Sequence, residues 1–412
     1  MLLSGMSWKQ KTVLFLISQG VTLFGSSLVQ FALMWFVILK TSSGIWVSAL
    51  TICAFVPQFL ISFLAGVWAD RYPRKRLIIL ADAVIAASTL ALALSIPRLG
   101  QDAALLIALL AVSVIRSLGT GVQLPAVNAV IPQIVPPEHL MRFNGINATI
   151  QAAVQFAAPA AAGAILTFGT LQSTLYIDVA TAAVGVGLLS CIMIPRLAHS
   201  GNGAPATMLA ELKVGVKYAF SHPFLSKLLI IYGGFIFLCV PAGFLATLFV
   251  SRTYGDSYLY LTIVEVVGFA GMAAGGLLIG IWGGFSNRVK TLFVGMAAFG
   301  MLAVGMGAVH SFIIYLLLML TYGIALTMVQ TATTTLVQEQ SEPDMQGRVF
   351  GFLSAMYSGC LPIGMVVFGP LADAVPLRWI MIGSGIALIL MAAAIFRRES
   401  FYYAGIKPSQ GA

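Results

Sequence analysis

The sequence predicts an all-α integral membrane protein, with twelve transmembrane helices in two six-helix bundles around a central cavity. Three observations predict it. Charged residues make up only 8% of the 412 residues, against 59% hydrophobic. The apolar residues fall into twelve runs long enough to cross a bilayer. Two motifs recur at equivalent places in the two halves of the chain.

Composition excludes most other classes. A soluble chain carries roughly 25% Asp, Glu, Lys and Arg, so this one cannot clothe a water-facing surface of its size. The balance also excludes a disordered chain, a nucleic-acid-binding module and a secreted disulfide scaffold. The net charge of +9 does not point to nucleic acid, because the cations punctuate apolar runs instead of forming a polar patch. Cys53, Cys191, Cys239 and Cys360 lie inside apolar segments without metal-ligand spacing and read as small packing residues. His139, His199, His222 and His310 have no partners at ligand spacing. No phosphate-cradling Gly-x-x-x-x-Gly-Lys-Ser/Thr loop is present, which argues against ATP as an energy source. No catalytic constellation is visible, and no cofactor is expected beyond a proton gradient.

The expected spans are 12–39, 45–68, 77–97, 103–131, 146–167, 174–194, 224–250, 258–283, 291–309, 311–337, 349–371 and 379–397. The first follows Lys9 and Lys11 as a signal peptide would, but it is too long for a signal core and reads as a retained span. Most connections are short. The exception joins Ser200–Pro205, flexible in composition, to an amphipathic charged segment from Glu211 to His222. The organisation is therefore a first bundle over 1–198, a linker over 199–223 and a second bundle over 224–412.

Lysine and arginine set the orientation. With both termini inside, 17 of them fall on the cytoplasmic side and 4 (Lys40, Arg98, Arg252 and Arg378) outside. The expected setting is a bacterial inner membrane, crossed many times, by a chain working as a monomer.

The halves are related. Gly66-Val67-Trp68 with Arg74 aligns without a gap on Gly280-Ile281-Trp282 with Arg288, each ending the second helix of its half. Pro137-Glu138 with Arg142 and Gly145 aligns on Pro343-Asp344 with Arg348 and Gly351. Parallel six-helix repeats imply two bundles facing each other across a cavity, the architecture of a rocking carrier.

Gly66–Arg76 is the most specific signal. A small residue lets helices approach closely, Asp70 suits a helix N-terminus, and Arg74 suits an acidic partner. Breaking and remaking such contacts would work a cytoplasmic gate formed by Gly66, Asp70, Arg71, Arg74, Arg76, Arg288 and Arg348. The second copy has Gly284 where the first has Asp70, so the latch is expected to be asymmetric.

Charges deep in the spans form a short series. Arg116 lies about 20 Å along the fourth helix at 1.5 Å per residue, where a cation needs a wet or paired interior. It reads either as a fixed charge tuning a nearby carboxylate or as half of a buried ion pair. Asp82, Asp178 and Glu265 are the acids within the spans. Glu265 sits among Ile263, Val264, Val266 and Val267, where a carboxylate is costly to leave charged and takes up a proton readily. It is the leading candidate for proton coupling, ahead of Asp82 and Asp178. A stripe of Gln19, Ser26 and Gln30 on the first helix, with Gln123, Asn128, Asn147 and Gln151 on the fourth and fifth, faces either the cavity or other helices. Gly271, Gly275, Gly276 and Gly280 read as packing glycines.

The Gly66–Arg76 stretch resembles the Gly-x-x-x-Asp-Arg-x-Gly-Arg-Arg loop of the major facilitator superfamily, with Pro73 replacing its middle glycine. Arg116-Ser117-Leu118-Gly119-Thr120, Pro125-Ala126 with Asn128, Ile177-Asp178, Thr262–Glu265, Gly347-Arg348-Val349-Phe350 and Leu361-Pro362-Ile363-Gly364 are similar to the macrolide-efflux branch. Ala158-Pro159 with Gly163 is a weakened form of an antiporter element. The resemblance implies proton-driven export of a bulky, amphipathic, cationic compound. Siderophore and lysophospholipid carriers of the same superfamily are the rival reading, and an intramembrane enzyme or channel a remote one. The lipid bilayer, protons and a small amphipathic substrate are the expected partners.

Overall fold

The computed structural model describes residues 7–99, 103–194 and 216–396. Its helices are α1 (Trp8–Thr41), α2 (Gly44–Arg71), α3 (Arg74–Leu99), α4 (Ala103–Ile134), α5 (Leu140–Phe168), α6 (Leu171–Ser190), α7 (Pro223–Gly243), α8 (Ala246–Tyr254), α9 (Tyr258–Trp282), α10 (Arg288–Ala308), α11 (Phe312–Gln340), α12 (Pro343–Ala374) and α13 (Leu377–Phe396). They give twelve stretches long and apolar enough to cross a membrane, α7 and α8 together forming one. Of the expected linker, residues 199–215 lie outside the described residues, as do Arg196, Arg397, Arg398 and Lys407; residues 216–221 are helical.

Helix ends have local causes. Pro73 cannot continue α2, so the stretch expected as a loop is only Tyr72 and Pro73, and α3 starts at Arg74. Gly283 closes α9 in the left-handed conformation (φ 74°), its N–H donating to the Ile279 carbonyl at 2.7 Å, and Gly284 follows at φ 76°. Asn287 caps α10, its Oδ1 accepting from the Val289 N–H at 2.9 Å.

Two compact units emerge. The first comprises Met1–Lys40 and Ala49–Leu209; the second comprises Ala210–Ala412 and Thr41–Ser48, the end of α1 and the first turn of α2. In the first unit α3 packs on α4 and α6. A side chain at Gly121 would strike Ile61 and lie 2.8 Å from the Gln58 carbonyl, so glycine there lets α4 lie against α2. A core of Phe15, Ile78, Val130, Ile134 and Leu189 fills the end where α1 and α3 begin and α4 and α6 finish. In the second unit α10 packs on α13 and α11, and α9 on α11. Phe235, Phe299 and Tyr322 stack through its middle with centroids 4.9 and 4.2 Å apart. Of the four expected packing glycines, Gly271 and Gly275 face the α11 backbone at Leu320 and Ile324, whereas a Cβ at Gly276 or Gly280 would meet no other helix within 4 Å among the described residues. Ile107, Leu277 and Ile281 are exposed, as lipid-facing residues are in a bilayer-spanning chain.

Candidate coupling and gating sites

Each unit carries its own polar centre. In the first, Arg116 of α4 forms a buried ion pair with Asp178 of α6. The same guanidinium donates to the Thr89 hydroxyl of α3, and its other arm donates to the Ser26 carbonyl of α1 at 3.3 Å. Thr89 in turn donates toward Asp178 Oδ2 at 3.2 Å. Four helices therefore meet at one charge pair. Gly25 makes room for it: a Cβ there would strike Thr181 and lie 3.1 Å from Asp178 Oδ1. Asp178 thus has a fixed cation beside it, as both sequence readings of Arg116 require.

Asp82 is also buried. Its Oδ1 accepts from Gln123 Nε2 at 2.7 Å, while Oδ2 has no hydrogen-bond partner among the described residues. Asp82 and Asp178 are close enough for their charges to interact. Gln123, expected to face either the cavity or other helices, donates to Asp82 of α3. The first-helix stripe divides in the same way. Gln19 is buried and bonds Ser18, whose hydroxyl donates to the Gly185 carbonyl of α6 at 2.9 Å, so this part holds helices together. Ser26 offers its carbonyl to Arg116, and Gln30 is exposed. Asn128 and Gln151 are exposed and Asn147 half-buried.

Ser117, next to Arg116, does something the sequence reading missed. Beside Pro57, which has no N–H to give the α2 ladder, the Ser117 hydroxyl enters the next rung: it accepts from the Gln58 N–H at 2.8 Å and donates to the Ala54 carbonyl at 2.7 Å. One α4 side chain thereby replaces a rung of the α2 ladder, a recognised cause of helix bending.

In the second unit Glu265 lies on α9, with neither a hydrogen bond nor a cationic partner among the described residues. Tyr315 and Tyr322 of α11 lie within reach of its charge, and the buried Tyr315 hydroxyl also lacks a partner. Glu265 therefore has no fixed counter-ion among the described residues, and two tyrosines of α11 lie on the helix packed against its own.

The motif ends are built differently in the two units. Arg74 donates to the Ala129 carbonyl of α4 at 2.7 Å. Lys75 donates to the Ser190 and Ile192 carbonyls, both at 2.7 Å, closing the C-terminal end of α6 where the helix dipole favours a cation. The side chains of Asp70 and Arg71 lie outside the described residues; Gly66 falls within α2, and Arg76 is exposed. Arg288 donates to the Gly283 carbonyl at 2.6 Å and lies 3.7 Å from Glu339 of α11. The second copy has no acid within its motif, and the carboxylate near Arg288 comes from Glu339 on a neighbouring helix. Arg348 is half-buried against the Met345 sulfur at 3.3 Å.

Asp373, at the end of α12, was also not foreseen. It accepts from the Ser43 hydroxyl at 2.7 Å, from the Gly44 and Ile45 N–H groups at 2.7 and 3.0 Å, and from Arg252 at 2.6 Å. Arg252 also donates to the carbonyls of Ser42 and Ala372. A carboxylate from one helix thus caps the first turn of another.

A family model described as Major Facilitator Superfamily matches residues 15–365. A protein named Macrolide efflux protein A from Streptococcus pyogenes is 26% identical over 388 residues, covering 94% of this chain and 95% of that one. A protein of the same name from Enterococcus faecalis is 26% identical over 321 residues, covering 77% and 98%. A crystal structure of a nucleoside transporter superposes with a TM-score of 0.73 at 15% identity, covering 94% and 99% of the two chains. That likeness shows the fold.

Proposed function

Because the chain belongs to the major facilitator superfamily and is a multi-pass bacterial membrane transporter, we propose that it exports bulky, amphipathic, cationic compounds of the macrolide type in exchange for protons. The observation that carries the coupling is Glu265, an intramembrane carboxylate with no counter-ion or hydrogen bond among the described residues. Asp178 has a permanent cation beside it, whereas Glu265, with none among the described residues, is available to exchange a proton for a substrate cation. Protonated from outside, it loses its charge and releases the substrate; deprotonated toward the cytoplasm, it binds another. Asp82, with one buried oxygen unpartnered, is the second proton candidate.

The substrate class rests on the two relatives named as macrolide efflux proteins and on the aromatic surroundings of Glu265, which suit a large amphipathic cation. Orientation rests on the lysine and arginine count, which puts both termini in the cytoplasm. The gate is assigned to the Gly66–Arg76 and Gly280–Arg288 turns, with Arg348. Of the stripe, Gln30, Asn128 and Gln151 remain as candidates for the substrate path.

The test uses everted membrane vesicles from cells expressing the chain. A radiolabelled macrolide should enter them when a proton gradient, acid inside, is imposed, and leave when the gradient is collapsed; Glu265→Gln should abolish both. Uptake that ignores the gradient sinks the coupling. Competition by siderophores or lysophospholipids, with none by macrolides, moves the substrate to the rival class.

A further inference from the structure

In the second unit a cavity of about 370 Å³ opens between α8, the turn joining α10 to α11, and the start of α13. Its polar lining is Arg252, Thr253, His310 and Arg378, beside the apolar Phe249 and Leu377. Two of these groups differ in what they have left to offer. Arg252 is satisfied by Asp373 and two carbonyls. Arg378 has no acidic partner among the described residues: it donates to the Gly307 carbonyl at 3.4 Å and meets His310 Nε2 at 3.1 Å. A guanidinium only donates, so His310 Nε2 accepts and the ring carries its proton on Nδ1. That leaves the cavity with one positive charge that has no carboxylate partner among the described residues, beside the His310 ring and the Thr253 side chain.

The wall is held in place. Tyr254 donates to the Val309 carbonyl at 3.0 Å, fixing the turn that bears His310, and Arg252 fixes the end of α12 just before Pro376. The surroundings are apolar and open: Trp379, beside Arg378, is 61% exposed, and Ile313, three residues after His310, is 71% exposed. An exposed tryptophan at a helix start is the mark of a bilayer interface.

We propose that this cavity is a binding site for a phosphate-bearing anion, with Arg378 as its charge partner and His310 and Thr253 as hydrogen-bond donors. Arginine matches phosphate by parallel N–H donors, and a site at the interface is worth more than one in bulk water. Two sources share this chemistry: the phosphodiester headgroup of an anionic phospholipid and free inorganic phosphate.

Native mass spectrometry of the full-length protein in detergent tests it, with phosphatidylglycerol and phosphatidylethanolamine added in equal amounts. Phosphatidylglycerol should be retained several-fold over phosphatidylethanolamine, and Arg378→Gln should erase the preference while Arg378→Lys keeps part of it. His310→Ala, which leaves Arg378 in place, should weaken it as a second variant. Loss of bound phosphatidylglycerol on adding inorganic phosphate would uphold the site and assign it to the free anion; retention would assign it to lipid. Equal retention of the two lipids by the wild type together with no phosphate-induced thermal shift, or an unchanged preference in a folded Arg378→Gln protein, would overturn it.

Discussion

Arg116 and Asp178 form a buried ion pair that ties α4 to α6 and draws in Thr89 of α3 and the backbone of α1. Within the first unit this brings four helices to one ion pair. Removing one partner strands a buried charge, at a cost of about 3–5 kcal/mol, while removing both is much cheaper. Arg116→Leu and Asp178→Leu should each sharply lower thermal stability in detergent, and the double variant should recover most of the loss. Additive losses would show that the pair does not act as a unit.

Glu265 predicts the opposite pattern. It has no hydrogen bond to lose among the described residues, so Glu265→Gln should leave thermal stability within a few degrees of the wild type. Substrate-induced proton release, followed with a pH dye in weakly buffered detergent, should vanish. Undiminished release would move the coupling to Asp82, whose Asn variant is then the one to measure.

Ser117 bridges the α2 rung between Gln58 and Ala54, next to Pro57. Ser117→Ala would leave a buried donor and a buried acceptor unpaired, costing about 1–3 kcal/mol. Ser117→Thr keeps the hydroxyl and serves as the control. A thermal melt that treats the two alike would refute the stapling role.

Asp373 caps the first turn of α2 and pairs with Arg252. Both side chains are partly exposed, so the ion pair adds at most about 1 kcal/mol and the cap about as much again. Asp373→Ala should lower thermal stability modestly, and Asp373→Asn, which still accepts hydrogen bonds, by less.

Arg288 and Glu339, 3.7 Å apart and each about a quarter exposed, should contribute little to stability. Glu339→Gln should melt with the wild type yet change the transport rate if this contact works the gate. A rate equal to that of the wild type would leave the pair a surface contact.

Much of this was legible in the chain. Arg116, Asp82, Asp178 and Glu265 stood out because charge in hydrocarbon is expensive wherever it occurs. Their partners did not. Arg116 lies 13 residues beyond the start of α4 and Asp178 only 7 beyond the start of α6, an offset of about 9 Å at 1.5 Å per residue. The two meet because their helices begin at different levels, which no count along either helix reveals. Glu339 and Asp373 were missed for another reason. The apolar runs around them end at 337 and 371, but α11 continues to Gln340 and α12 to Ala374. Hydropathy marks where hydrocarbon ends, whereas a helix runs on until its backbone hydrogen bonds find other partners.

The sequence by itself determined the membrane class, the twelve spans, the repeated motifs and the scarcity of charge within them. Each follows from residue chemistry summed along the chain. Only the tertiary structure decided that Asp178 pairs with Arg116, that Gln123 donates to Asp82, that Ser117 bridges a rung of α2 and that Glu265 has no counter-ion among the described residues. Those outcomes depend on the rotation and axial level of one helix against another. Small-residue contacts such as Gly25 against Thr181 and Gly121 against Gln58 set both, and they exist only once the helices have packed.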